Sequence, residues 1–251
     1  MRMITTAICK GGAGKSTITG LLAGAAVKDG LRVLVVDADP QANITYSLGA
    51  DERKPGTFEV ISGTRKASEV LQKSEQGMSV ITGSLNLSML KTSAGSATRL
   101  RDALRRVSSL FDLCIIDAQA SIGEPQLNAL MAARDALVIP VETDPVSMQG
   151  LYKTIDTITS MRKDDLPKIG VVINRLDRRA IINKHMLESF QDVCSKNNVE
   201  IFGEIRSASI IREAASVREN LFVYAPRTKA AGDAMAVYRS IMAAIGITPK
   251  G

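Results

Sequence analysis

The amino-acid sequence predicts an α/β fold: one mostly parallel, doubly wound sheet with helices on both faces. Three observations predict it. Short β-rich runs alternate with longer stretches of helical pattern, as in βαβ units. Several of those runs are continuously apolar, such as Val33-Leu34-Val35-Val36 and Cys114-Ile115-Ile116, which suits strands buried on both faces. Finally, 251 residues, 45% of them hydrophobic, suffice for one large core. With no internal repeat, low-complexity tail or sharp composition shift, residues 1–251 are expected to form a single domain.

In chain order, the expected strands are Met3–Cys9, Arg32–Asp37, Met78–Thr82, Leu113–Asp117, Ala136–Val141, Ile169–Asn174 and Glu200–Ile205. Helices are expected over Lys15–Lys28, Thr98–Ser109, Val146–Arg162, Lys184–Lys196 and Ala230–Ala244. Polar, turn-rich Gly49–Gly56 and the small residues Ser93–Ser96 read as surface loops.

Composition narrows the function. Cys9, Cys114 and Cys194 are far apart, form no CxxC pair and have one histidine, His185, to share, so they read as reduced thiols acting as small hydrophobes. His185 receives no function. Net charge is +6, and residues 171–251 carry 12 basic against 8 acidic side chains, which permits contact with a polyanion. Four Tyr, five Phe and no Trp make stacking on single-stranded bases a poor reading. No run of eighteen apolar residues and no signal-peptide pattern occurs, so a cytoplasmic location is expected.

The chemistry begins at Lys10-Gly11-Gly12-Ala13-Gly14-Lys15-Ser16-Thr17, between a strand and a helix. Glycines let successive N–H groups face phosphate oxygens, and the helix N-terminus adds partial positive charge. Lys15 is placed to reach the β- and γ-phosphates and Ser16 to ligate Mg²⁺. The plain GxxxxGK[ST] pattern is broken, because Cys9 stands where its first glycine belongs. The form present, KGGxGK[ST], resembles the deviant Walker A loop of the ParA/MinD family. By that resemblance, Lys10 is the signature lysine that reaches a partner's nucleotide.

Val36-Asp37-Ala38-Asp39-Pro40-Gln41-Ala42-Asn43 looks like the VDxDPQxN segment of ParA proteins. Carboxylates at a strand's end beside the loop can hold a Mg²⁺ water shell and orient an attacking water. The resemblance ties Asp39 to hydrolysis; Asp37 either shares that role or fixes the loop. Asp117 ends a third apolar strand as a Walker B acid does, and is expected near Mg²⁺. Here the chain departs from its relatives. Ala118-Gln119-Ala120 replaces their proline-containing DxPP or DxPG, and Gln119 either positions water, as in some GTPases, or makes a neutral hydrogen bond.

Asn174-Arg175-Leu176-Asp177 is reminiscent of the GTPase NKxD motif, with the Asn174 amide suited to a purine edge. ParA relatives have a similar strand yet use ATP, so ATP is expected and GTP stays the minority reading. Leu127-Asn128-Ala129-Leu130, Val138-Ile139-Pro140-Val141, Arg212-Glu213-Ala214 and Ala225-Pro226-Arg227-Thr228-Lys229-Ala230 also recur in order in ParA proteins. The chain resembles the short Soj-like members. The resemblance implies an ATP-bound homodimer, binding to double-stranded DNA without sequence preference, and slow hydrolysis stimulated by a ParB-type centromere-binding protein at the nucleoid. Candidates for DNA contact are the basic residues of the C-terminal third: Arg178, Arg179 and Lys184, and Arg212, Arg218, Arg227 and Lys229, the last four in the region where relatives carry DNA-contacting residues. Two rivals share the fold. A MinD-like membrane-cycling ATPase needs a basic amphipathic C-terminal helix, whereas Gly246, Pro249 and one lysine stand here, so no membrane contact is expected. An iron–sulfur protein needs a cysteine pair, and Cys114 is expected to point into the core; a small-molecule ligase stays open.

Overall fold

The computed structural model describes residues 1–177 and 181–247, with the backbone alone for 181–184. Its strands are β1 (Arg2–Thr6), β2 (Val33–Ala38), β3 (Gln72–Lys73), β4 (Ser79–Ile81), β5 (Leu113–Ala118), β6 (Ala136–Val141), β7 (Lys168–Leu176) and β8 (Glu200–Arg206). Its α-helices are α1 (Lys15–Lys28), α2 (Asn43–Ser47), α3 (Thr57–Ser62), α4 (Arg99–Arg105), α5 (Glu124–Ala132), α6 (Pro145–Met161), α7 (Ile181–Lys196), α8 (Ser209–Ser216), α9 (Leu221–Tyr224) and α10 (Lys229–Ala244). The sheet order is β3-β4-β2-β5-β1-β6-β7-β8. All neighbours pair in parallel except β3 with β4. The predicted doubly wound class is the observed one.

Alternation along the strands divides the core into two layers. Leu34, Val36, Cys114 and Ile116 face one layer with residues of α3 to α7, including Leu100, Leu130, Leu151 and Phe190. Val33, Val35, Leu113 and Ile115 face the other with Ile18 and Leu22 of α1, Ile44 of α2 and Val237 and Tyr238 of α10. β2, β5 and β6 are buried throughout, which is why their apolar runs are unbroken. Cys114 lies in the core, and burial pushes its thiol far up.

The long strands and α1, α6 and α10 match the expectation closely, whereas the buried helix α5 was not expected, the helix expected over Thr98–Ser109 spans only Arg99–Arg105, and the short elements escaped the sequence reading. α2, α3, α8 and α9 have four to eight residues, too few to show a period. The two-residue β3 forms a blunt antiparallel edge, and β8 at the opposite edge carries a register shift and Gly203 at φ 142°. Among the described residues, no helix is long and apolar enough to cross a membrane.

Candidate active site

In a parallel sheet the strands' carboxyl ends collect their following loops on one side, and the switch in strand order around β1 opens a crevice there. A cleft of about 560 Å³ occupies that position. It is lined on one side by Gly11, Gly12, Gly14, Lys15, Ser16, Thr17 and Asp39.

The loop's shape follows from its glycines. Gly12 (φ 78°) and Gly14 (φ 88°) adopt left-handed backbone, which L side chains avoid, and Gly14 caps α1 with no side chain to satisfy the first-turn N–H groups. Lys15 is buried, with Nζ 3.5 Å from the Lys10 carbonyl. Ser16 Oγ donates to Asp117 Oδ2 at 2.5 Å, and Thr19 Oγ1 donates to Oδ1 at 3.2 Å.

Pairing of β2 with β5 sets Asp37 directly beside Asp117. Both are fully buried. Burial, followed by the charge of Asp37, pushes Asp117 up to about 8. Asp37 rises to about 6, again through burial first, although three hydrogen bonds hold it down: Thr45 Oγ1 donates at 2.6 Å, and the backbone N–H groups of Thr45 and Asp39 at 3.0 Å each. Asp37 thus organises the turn into α2, while Asp39 stands at the cleft, with Oδ1 accepting from the Gln41 N–H. Ser16 Oγ, Asp117 and Asp39 are hard oxygen donors of the kind a divalent cation takes, although no cluster of three acidic ligands forms among the described residues.

Lys10 does not line the cleft. Its Nζ donates to Asp144 Oδ2 at 2.7 Å and to Ser147 Oγ at 2.8 Å, at the start of α6 in the same chain. Partial burial works against the Asp144 charge, but the bonds from Lys10 and Ser147 outweigh it and hold that carboxyl below the usual range. Asn174 is also turned from the position expected of it. It is buried beneath the loop, and its Nδ2 donates to the Ala13 carbonyl at 3.0 Å, which makes it a support of the loop rather than a reader of a base edge. Gln119 lines the cleft, but its amide donates to the Ser121 carbonyl at 2.9 Å, the neutral of its two expected roles.

The opposite wall of the cleft was not anticipated. Ile211, Ala214 and Ala215 of α8, Leu221 of α9, and Glu219 and Asn220 in the turn between them face Leu21, Ile44 and Leu48. The Asn220 amide seats this wall: Oδ1 accepts from the Phe222 N–H and Nδ2 donates to the Gly24 carbonyl on α1. A Cβ at Gly24 would lie 2.5 Å from Asn220 Oδ1, so a larger residue there would displace that amide. Of the expected DNA-contacting residues, Arg212, Arg218, Arg227 and Lys229 are exposed, and none pairs with an acid among the described residues. The Arg218 guanidinium lies 4.2 Å over the Tyr46 ring. Arg178, Arg179 and the side chain of Lys184 fall outside the described residues.

A phosphate-shaped loop ahead of a helix, set over strand-end acids in a parallel sheet, defines a P-loop nucleotide-binding protein. Comparison with known proteins narrows the class. Residues 1–171 match the family model described as an AAA domain. The chain is 30% identical to the chromosome partitioning protein ParA of Myxococcus xanthus, over 96% of this chain and 88% of that one. It is also 30% identical to the cell division protein PomZ of the same organism, over 93% and 75%. A solved structure of cobyrinic acid a,c-diamide synthase from Mycobacterium smegmatis, with bound ADP and magnesium, superposes with a TM-score of 0.70 at 30% identity, covering 76% of this chain and 82% of that one. The chain belongs to the ParA-type P-loop ATPases.

Proposed function

We propose that the chain is a Mg²⁺-dependent ATPase that dimerises with ATP, binds duplex DNA without sequence preference, and partitions a plasmid or chromosome. The observation that carries this reading is Ser16 on Asp117, with Asp39 at the same cleft and Lys10 outside it. Ser16 would hold Mg²⁺ directly, with Asp117 and Asp39 on its water shell. The bound ion would neutralise phosphate charge as it shifts toward the leaving group. Lys15 holds the β- and γ-phosphates, and Asp39 orients the attacking water.

Lys10 stands two residues before Gly12 at the open end of the loop, held by one carboxylate and one hydroxyl. A second copy bearing ATP offers denser negative charge than Asp144 does, so Lys10 exchanges its own-chain partners for the partner's phosphates. Exposed Arg212, Arg227 and Lys229, doubled in a two-fold dimer, supply phosphate contacts whose avidity makes DNA affinity depend on ATP. A ParB-type partner then releases the dimer from the nucleoid by stimulating hydrolysis.

The test is anisotropy with unrelated DNA duplexes at low salt. Wild type with Mg²⁺-ATP should bind all of them, and Lys10→Ala should lose binding and stay monomeric in light scattering. If wild type with Mg²⁺-ATP binds none, the partition reading fails and an ATP-dependent enzyme acting on a small molecule takes its place. That second reading is favoured by the similarity to the diamide synthase structure.

A further inference from the structure

The end of β7 does something that a strand end ordinarily cannot. Side chains alternate along a strand, so two consecutive residues face opposite layers. Asn174 and Arg175 instead both reach the phosphate loop, and they take consecutive carbonyls. Asn174 Nδ2 donates to the Ala13 oxygen at 3.0 Å, and Arg175 Nη1 donates to the Gly12 oxygen at 3.0 Å. A left-handed backbone at Arg175 (φ 52°) breaks the alternation, and the register with β8 slips between Ile173 and Leu176 at the same place. A long side chain in that conformation is retained where surrounding contacts over-determine it, and such outliers gather at functional sites.

The carbonyls concerned belong to the phosphate cradle itself. A loop that turns its N–H groups inward toward an anion turns carbonyls outward, and these need donors of their own. The fit is close, since a Cβ on Gly14 would lie 2.1 Å from Asn174 Nδ2. Arg175 also ties the loop to a second element. The same Nη1 donates to Glu142 Oε1 at 2.7 Å, at the end of β6. The Glu142 N–H donates to Ser147 Oγ at 3.0 Å, the hydroxyl that also receives Lys10. Lys10 and Gly12, two residues apart, are thus both moored to the turn between β6 and α6.

We propose that Asn174 and Arg175 form a strap that sets the anion-binding shape of the phosphate loop, with Arg175 as a positioning residue that couples Gly12 to the Glu142–Ser147 turn. Its role is exercised on nucleotide affinity, whatever the protein does with DNA. It rests on nucleotide binding at the loop and on no other part of the proposed function.

The experiment measures affinity for Mg²⁺-ADP and a fluorescent ATP analogue, KM and kcat for ATP, and nucleotide-free melting. Wild type must bind nucleotide; if it does not, the nucleotide-site reading itself fails. Given that binding, Arg175→Ala should weaken affinity and raise KM by about tenfold, the scale of one hydrogen bond from a charged donor. Its kcat at saturation should stay within about twofold and its melting close to wild type, because the side chain is half exposed. Arg175→Lys should recover most of the affinity, since an ammonium can donate to both the Gly12 and Glu142 oxygens. Wild-type affinity in Arg175→Ala, an equal loss in kcat and KM, or a lysine variant no better than alanine would each overturn the strap.

Discussion

The two walls of the cleft are built on different principles. The loop and acid wall is assembled from the ends of adjacent strands, with charges buried where water cannot screen them: Asp37 and Asp117 stand side by side, under Ser16 and close to Lys15. The α8–α9 wall is assembled mostly from apolar and small residues distant in sequence from the loop, with Glu219 in the intervening turn, and is seated by one amide, Asn220. The first wall spends stability on chemistry, because clustered buried carboxylates oppose folding until a cation arrives. The second is ordinary packing and acts through shape.

That contrast can be broken by substitution. The largest effect is expected on the acid wall, where Asp39→Ala should slow ATP turnover by about 100-fold, the usual contribution of a group handling the attacking water's proton, while ATP affinity stays within a few-fold. Single-turnover and equilibrium-binding measurements separate the two; unchanged turnover removes Asp39 from the mechanism. On the apolar wall, Ala215→Trp should fill the cleft beside Leu221 and weaken ATP by about tenfold, in the range of overpacking penalties. Competition by inorganic pyrophosphate, which needs the loop alone, should be unaltered. Equal losses for both ligands would place α8 against the phosphates and erase the division of labour.

The smallest effect sharpens the comparison through pH. Burial first, then the Asp37 charge, lifts Asp117 to about 8, while burial lifts Asp37 to about 6 against the hydrogen bonds from Thr45 and Asp39. The nucleotide-free fold therefore binds protons that the unfolded chain sheds near pH 4. Its contribution to stability is complete below that pH and is lost as pH rises toward 8. Asp117→Asn should flatten the decline and raise the nucleotide-free Tm at pH 8, by about 2–4 °C for each kcal/mol of relieved strain. A variant that melts below wild type at pH 8 would mean that the carboxylate is stabilising even without a cation.

The sequence reveals the first wall far better than the second, and the reason is physical. Lys15, Ser16, Asp39 and Asp117 are carried by local motifs, and the runs that bring them together are buried on both faces, so their pattern is unbroken. α8 and α9 bury few residues each, among them Ala214, Leu221 and Phe222, and these become a wall only after packing near α1. Side-chain direction was the other loss. Nothing local says that Asn174 turns under the loop, because that depends on the left-handed Arg175 beside it. Lys10 is legible as an extra cation but not as a guest of Asp144, some 130 residues further on. The docking of Thr45 onto Asp37 lacked any motif.

The sheet's margins decide where copies of this chain can meet. One margin ends in a two-residue strand, Gln72–Lys73, and the other in β8, whose ladder is interrupted at Gly203 and whose length carries Glu200, Glu204 and Arg206. A short or broken rim studded with charge is a poor template for a neighbour's backbone. Growth by strand addition, the route by which large parallel sheets polymerise into fibres, is therefore blocked at both ends. Copies of this chain at high local density therefore lack a ready edge through which to join sheet to sheet.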